Sequence, residues 1–421
     1  MRFNALPPLA VDFNPQKKEA MSTITKTNKE QGNFGAVLRL PIFNVLLGSE
    51  TISLIGDRLV AIALVTLVYD ITQSAASVSS LLILKAIPAL LLGSAAGTLA
   101  DRLNRKWVMV ASNLAQGLLV LFIPFASSLR LVYVIYLIMS IINQLFIPAR
   151  AATIPDVVPE KQLITANSLF SMAYVGAIAL GPAIGGFVID QFGLNAAFFV
   201  DSATFLVPAL AVGLLTLPRR SQPTTQNNFI ADMKAGLAYI RTRSDIMAGL
   251  LMSSMVYFAI GAISVLGIVI AKETLGTGAG GYGMMMSVMG VGLLVGAILM
   301  GKYGTQIDRT RLAAVGAIIG GVAVALLPWA TNLYLALLIS AFSGVGMVMV
   351  QASANTTYQT SPENLRGRVL GVAQALLGAS SFLAMGLAGF AAEWLGLTAV
   401  LGIAGLAAFL PGVLVLLQSK K

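Results

Sequence analysis

Gly97-Thr98-Leu99-Ala100-Asp101-Arg102-Leu103-Asn104-Arg105-Lys106 is a dense polar knot between two apolar runs, Leu81–Ala96 and Trp107–Phe125. Each run is close to the ~20 residues that a helix needs to cross a bilayer. A turn this short makes the two helices antiparallel, and its cations hold the turn on the cytoplasmic side. The core of the knot returns in the second half of the chain. Gly304-Thr305-Gln306-Ile307-Asp308-Arg309 repeats the Gly-x-x-x-Asp-Arg pattern, again between apolar runs. One such pattern is a weak signal, because acids and bases are ordinary in loops. Two copies at matching places in two halves are a strong one.

Composition agrees. The 421 residues are 57% hydrophobic and only 10% charged, where a soluble domain carries about 25% charged residues. The apolar residues fall in runs of about twenty, the length of a membrane span. The chain is therefore expected to be an all-α, multi-pass membrane protein. It has no Cys and no His, which excludes a disulfide framework, a thiolate metal site, and an imidazole ligand or proton shuttle. No metal, cofactor or enzymatic activity is expected. The net charge of +10 fits topology better than it fits nucleic acid.

In chain order, residues 1–38 read as a cytoplasmic tail holding Lys17, Lys18, Lys26 and Lys29. Twelve spans follow, at 42–69, 77–98, 107–126, 131–150, 166–189 and 197–217, then at 246–271, 282–302, 312–330, 333–354, 369–391 and 397–417. They divide the chain into a six-helix bundle at 39–217, a linker at 218–245, a second bundle at 246–417 and a short end at 418–421. Within the linker, Phe229, Met233, Leu237 and Ile240 share one helical face opposite Lys234 and Arg241, which predicts a helix along the cytoplasmic surface. With an even number of spans both termini lie on one side. All but four of the 27 basic residues also fall on that side; Arg130 and Lys272 lie opposite, and Arg58 and Lys85 lie within spans. So large an asymmetry puts both termini in the cytoplasm.

The halves repeat each other at a second mark: Val158-Pro159-Glu160 after span 4 answers Ser361-Pro362-Glu363 after span 10. Six spans plus six in parallel repeat is a transporter architecture, with the site near the midplane between the halves. At these residues the chain resembles the major facilitator superfamily, over essentially all of 40–417. Gly97, Asp101, Arg102, Arg105 and Lys106 look like its signature loop. Within the superfamily the chain is most similar to proton-driven exporters of the enterobactin-exporter and macrolide-efflux type. That similarity rests on Gly56-Asp57-Arg58, on Pro148-Ala149-Arg150 with Pro155-Asp156, and on Gln359-Thr360-Ser361-Pro362-Glu363 with Arg366-Gly367-Arg368. Gly181-Pro182-Ala183-Ile184-Gly185-Gly186 resembles the antiporter motif of such exporters. Two departures stand out: Ala177 replaces that motif's first glycine, and span 4, read as ending at 150, lacks the arginine of many drug–proton antiporters.

The same residues have a physical reading. Asp101 and Arg102 sit where helix ends leave unpaired backbone groups. Arg366 and Arg368, which introduce span 11, are candidate partners for Asp101, so that the loop clasps the cytoplasmic ends of the two halves. Gly304, Asp308 and Arg309 repeat the device. The alternative is that these charges only orient and solvate the turns. Gly181-Pro182 removes a backbone donor in mid-span and favours a kink, while Gly185 and Gly186 allow close helix approach. Gly93 with Gly97 and Gly316 with Gly320 have small-x-x-x-small spacing and read as helix packing.

Ionisable groups inside spans point most directly to function, since a charge at the bilayer centre costs ~2.5–3.5 kcal/mol on insertion scales. Glu50 and Asp57 share one face of span 1, Arg58 is adjacent, and Lys85 lies in span 2. Asp57 is the first candidate for a proton-binding carboxylate. Burial favours its neutral form and a nearby Lys85 or Arg58 its charged form, the balance a coupling group needs. A static ion pair between spans 1 and 2 is the alternative. Glu50 is placed at the cytoplasmic mouth of span 1 or as a second acid, and Asp201 as a helix-start residue at the outer interface. Gly296 to Lys302 fits the first part of a phosphate-binding loop, but Tyr303 follows in place of Ser or Thr and the match lies within a span.

The sequence thus predicts a monomeric secondary active transporter of the inner membrane. It would exchange protons for a mid-sized amphipathic solute, such as a drug, macrolide or siderophore-like compound. A lipid flippase of the same fold, handling lysophospholipids for example, is one alternative. A non-transporting receptor or scaffold is another, disfavoured by the duplicated loop.

Overall fold

The computed structural model describes residues 34–217 and 229–418, without the side chains at 90, 93–98, 100–102, 229–230 and 305. After a one-turn helix at Phe34–Val37 come α1 (Pro41–Thr72), α2 (Ala75–Arg102), α3 (Arg105–Phe122), α4 (Leu129–Val157), α5 (Leu163–Phe192) and α6 (Leu194–Leu214). The second group is α7 (Phe229–Thr242), α8 (Ser244–Val269), α9 (Gly278–Tyr303), α10 (Arg309–Leu326), α11 (Leu333–Gln359), α12 (Glu363–Leu395) and α13 (Leu397–Gln418). Among the described residues, eleven of these helices are long and apolar enough to cross a membrane, and the described part of α2, Ala75–Ala89, is a shorter apolar helix. The fold is all-helical, with twelve spans in two six-helix groups. The described chain begins and ends on one face, the terminal face; the opposite one is the far face.

The elements stop where their end chemistry stops them. Asn104 accepts from Lys106 N (3.1 Å) and Asp308 from Arg311 N (3.0 Å), so each polar knot caps the helix after it. Ser128 and Asn332 cap α4 and α11 in the same way. Gly193 and Gly396, both at φ +83°, each form the single-residue joint between consecutive spans, a conformation that favours glycine. These paired caps and joints extend the sequence repeat to the backbone itself.

Within the first group α1 packs on α5 and α6, α2 on α4, and α3 on α6. In the second, α8 packs on α12 and α13, α9 on α11, and α10 on α11 and α13. The groups meet chiefly through two equivalent pairs, α5 with α9 and α2 with α12. Glycine lets these backbones touch. A Cβ at Gly186 would stand 2.8 Å from Ala279 O, and one at Gly389 would collide with Ala75 O and Ser79 Oγ. Gly389→Val is therefore expected to pry α12 from α2 at the far face. The chain has no cysteine, so a single cysteine placed at Ser140 reports this cleanly. Its labelling from the far side should rise several-fold over the same cysteine in the parent chain.

Two expectations need correction here. The segment read as tail up to residue 38 is not all tail: Val37 is fully buried, in a cluster with Phe43, Ile154, Val158 and Ala166. The linker helix α7 does form, but a protein surface takes up its apolar face. Ile240 is buried against Ile246, Val369, Val372 and Ala373, and Gly236 lies against Arg368 O (2.7 Å for a Cβ). The start of α12 offers α7 a surface that a sequence pattern does not reveal.

Candidate functional site

Asp57 and Arg58 on α1 and Lys85 on α2 line one cavity of 210 Å³ near mid-helix, with Gln116, Asn143 and Tyr174. The close fit of α1 to its neighbours places them. A Cβ at Gly181 would lie 2.5 Å from Arg58 Cβ, and one at Gly185 2.9 Å from Leu59 Cα, so the glycines of the antiporter-like motif seat α5 directly on this turn of α1. Arg58 lies over the Tyr174 ring, 5.4 Å from its centroid. Lys85 is exposed to the cavity. Among the described residues neither cation makes an ion pair within 4.0 Å, although both are close enough to Asp57 to act on its charge. The cavity is lined by the first group alone. Among the described residues of the spans α8–α13, Asp245, Lys272, Glu273, Lys302, Glu363, Arg366, Arg368 and Glu393 lie toward helix ends or in turns, and Gln351 Nε2 donates to Tyr257 Oη at 2.7 Å.

Glu50 is not a free second acid. It is 5% exposed and forms an ion pair with Arg150. Arg150 lies inside α4, which runs through Pro148 and Pro155 to Val157, so span 4 does carry an arginine. The helix absorbs both prolines and runs beyond the predicted end at 150. Asp201 is also relocated. It is 0% exposed and sits in the second turn of α6, well inside the helix.

The signature loop ties down within its own group. Arg105 pairs with Asp156 at 2.6 Å and donates to Ala152 O at 2.9 Å, while Lys106 lies over the Trp107 ring. The side chains of Asp101 and Arg102, and the surroundings of Gly97 and Gly93, fall outside the described residues. In the second copy, Asp308 caps α10, and Gly304 and Arg309 line a 440 Å³ cavity between α9 and α11. Arg366 is exposed. Arg368 is engaged elsewhere, pairing with Asp232 of α7 at 2.8 Å.

The motif at Gly181, Pro182, Gly185 and Gly186 joins three helices. Besides seating α5 on α1, it meets α9: Pro182 O abuts Gly283, and Ala183 N donates to Ser287 Oγ at 2.8 Å. Helix α5 runs unbroken through Pro182. A Cβ at Gly316 would lie 2.8 Å from Gly346 O, a close helix approach of the kind its spacing implied.

Sequence reading missed how the far face closes. Tyr69 Oη donates to Glu273, Lys272 pairs with Asp70, Ser74 Oγ donates to Glu393 at 2.5 Å, and Gly280 N donates to Asp190 at 3.2 Å. Each bond joins the two groups. Lys272 and Glu273 stand on a π-helical turn, Ile270–Thr274, that ends α8. These four bonds all lie in the far half of the molecule. Tyr69 and Glu273 are 204 residues apart, so no local pattern could have paired them. These bonds close the far face between the two groups.

A family model for transmembrane secretion effectors matches residues 33–420. The MFS-type transporter YfiS of Bacillus subtilis (strain 168) is 28% identical over 386 residues, covering 89% of this chain and 92% of that protein. Macrolide efflux protein A of Streptococcus pyogenes is 25% identical over 361 residues, covering 82% and 86%. A crystal structure of a bacterial homolog of the human lysosomal transporter Spinster, inward-facing and occupied, superposes with a TM-score of 0.70 at 15% identity, covering 91% and 97%. At that identity the likeness is one of fold.

Proposed function

The chain belongs to the transmembrane secretion effector family of the major facilitator superfamily, and from that premise we propose that it exports an amphipathic solute in exchange for protons. Its relatives and its fold are those of small-molecule transporters rather than enzymes. The observation that carries the exporter reading is the mid-membrane cavity. It holds one accessible acid, Asp57, between two cations, behind a far face that is shut. The excess of Lys and Arg on the terminal face supports that face being cytoplasmic, in the inner membrane of a bacterium-like cell. In this orientation the far-face bonds between the groups stand on the outer side, which supports a loading step from the cytoplasm. A charged cavity set among apolar spans suits a solute with a polar and an apolar end, and a single chain provides the whole cavity, so a monomer suffices. Protons entering down the membrane potential supply ~2.3 kcal/mol per charge per 100 mV. The test is a substrate screen in everted vesicles with an imposed pH gradient. Uptake that an uncoupler abolishes supports the reading. Uptake indifferent to the gradient sinks proton coupling, and movement of labelled lysophospholipid rather than dye moves the assignment to a lipid flippase.

The signature loop is proposed to clasp the terminal face in the opposite state. Asp101→Asn should cut transport about tenfold with abundance intact, the size of one charge-assisted bond of ~1.5 kcal/mol. Asp308→Asn should change it less than twofold, because asparagine caps a helix as well as aspartate does. Full transport by the Asp101→Asn protein, assayed in vesicles at matched expression, would remove the clasp.

A further inference from the structure

We propose that Asp201 is a second proton-binding site of the transport cycle, working as one unit with Asp57 across the contact of α1 with α6. This rests on the reading of Asp57 as the coupling acid. Asp201 is completely buried in mid-protein. Its Oδ2 has no hydrogen-bond partner. Its Oδ1 accepts from Thr204 Oγ1 at 3.0 Å, but that hydroxyl has one proton and also reaches the Asp201 carbonyl at 2.8 Å. No cation pairs with it among the described residues.

A carboxylate so placed is out of reach of bulk solvent and, among the described residues, has neither a counter-ion nor a full set of donors. An isolated buried charge of this kind is far more expensive than a buried neutral acid. Asp201 therefore holds a proton. The charged group acting on it is Asp57 on α1, and like charges at close range oppose each other's ionisation. Helices α3 and α5 also pack against α6; among the described residues the buried polar side chains of α3 are the neutral Ser112, Asn113 and Gln116.

The local backbone is built for this approach. A Cβ at residue 56 would collide with both Thr204 Oγ1 and Asp201 Oδ1, so glycine just before Asp57 is what lets Asp201 reach α1. Asp57 opens on the cavity and Asp201 lies behind it, away from the cavity lining. The two acids have environments that separate their roles: one exchanges with cavity water while the other stores. A proton leaving Asp201 breaks its O–H bond and passes to water through Asp57, which must first be ionised to receive it. The pair titrates together, carries up to two protons, and empties Asp201 last.

Proton uptake by purified protein during an alkaline-to-acid jump, followed with a pH dye, tests this. Asp201→Asn should take up one proton fewer per protein than the parent chain, and Asp57→Asn and the double variant two fewer, because Asp201 fills only through Asp57. A merely structural aspartate leaves the count unchanged, and an unchanged count in Asp201→Asn overturns the proposal. An unchanged count in Asp57→Asn instead overturns the coupling role of Asp57 itself. Should Asp201→Asn fail to fold, Thr204→Val removes only the hydroxyl donor. It should move part of the uptake to higher pH, because the ionised acid loses its one donor, and an unmoved curve overturns the proposal equally.

Discussion

Export driven by a pH gradient is expected to disappear in Asp57→Asn while substrate still binds. The amide keeps the size and hydrogen-bonding capacity of the protonated acid but cannot release a proton, so the variant should behave as the proton-loaded form at every pH. Substrate affinity in the purified variant should no longer change with pH. The environment explains why the effect is large: Asp57 is the accessible unpaired acid of a cavity that also holds Arg58 and Lys85, and the chain has no histidine to substitute for it. A static ion pair predicts something else. Loss of the acid would strand two cations in mid-membrane, and the protein would lose stability or insert poorly. Thermal unfolding together with pH-dependent binding separates the two. A stable variant whose export still follows the gradient would take Asp57 out of the mechanism.

The second large effect concerns stability. Glu50 and Arg150 are an ion pair whose side chains are 6% and 29% exposed, linking α1 to α4 in the lining of the same cavity. Arg150→Met leaves Glu50 buried without a counter-charge and should cost about 3–5 kcal/mol. Glu50→Gln should cost less, because the more exposed arginine can still reach water. The double variant Glu50→Leu/Arg150→Met should recover most of the loss, since an apolar pair of similar volume can replace a buried ion pair. Thermal unfolding in detergent measures all three. An Arg150→Met protein as stable as the parent would show that the pair is already hydrated.

Much was legible in the residues themselves, and the reason is locality. Twelve apolar runs, the duplicated Gly-x-x-x-Asp-Arg and the paired Pro-Glu marks pointed to the number of helices and their repeat. Each is a property of a short stretch, because a bilayer requires every span to satisfy its backbone internally. The candidate acid Asp57 was legible for the same reason, as a charge where charges are expensive. Partnership was not. Helical periodicity placed Glu50 and Asp57 on one face, but it could not say that Glu50 meets Arg150 on α4, 100 residues away, while Asp57 faces open space. The apolar run of span 4 was read as ending at 150, yet α4 continues through Pro148 and Pro155 to Val157. Asp201 near the start of a span reads as an interfacial residue until Gly56 is seen to leave it room against α1. Arg368 was legible as a cation but not as the partner of Asp232. What the sequence alone determined was the set of helices and the charges they carry. What only the tertiary structure decided was which charges are neutralised and which face is closed, because those depend on contacts between residues up to 319 apart that no local pattern encodes.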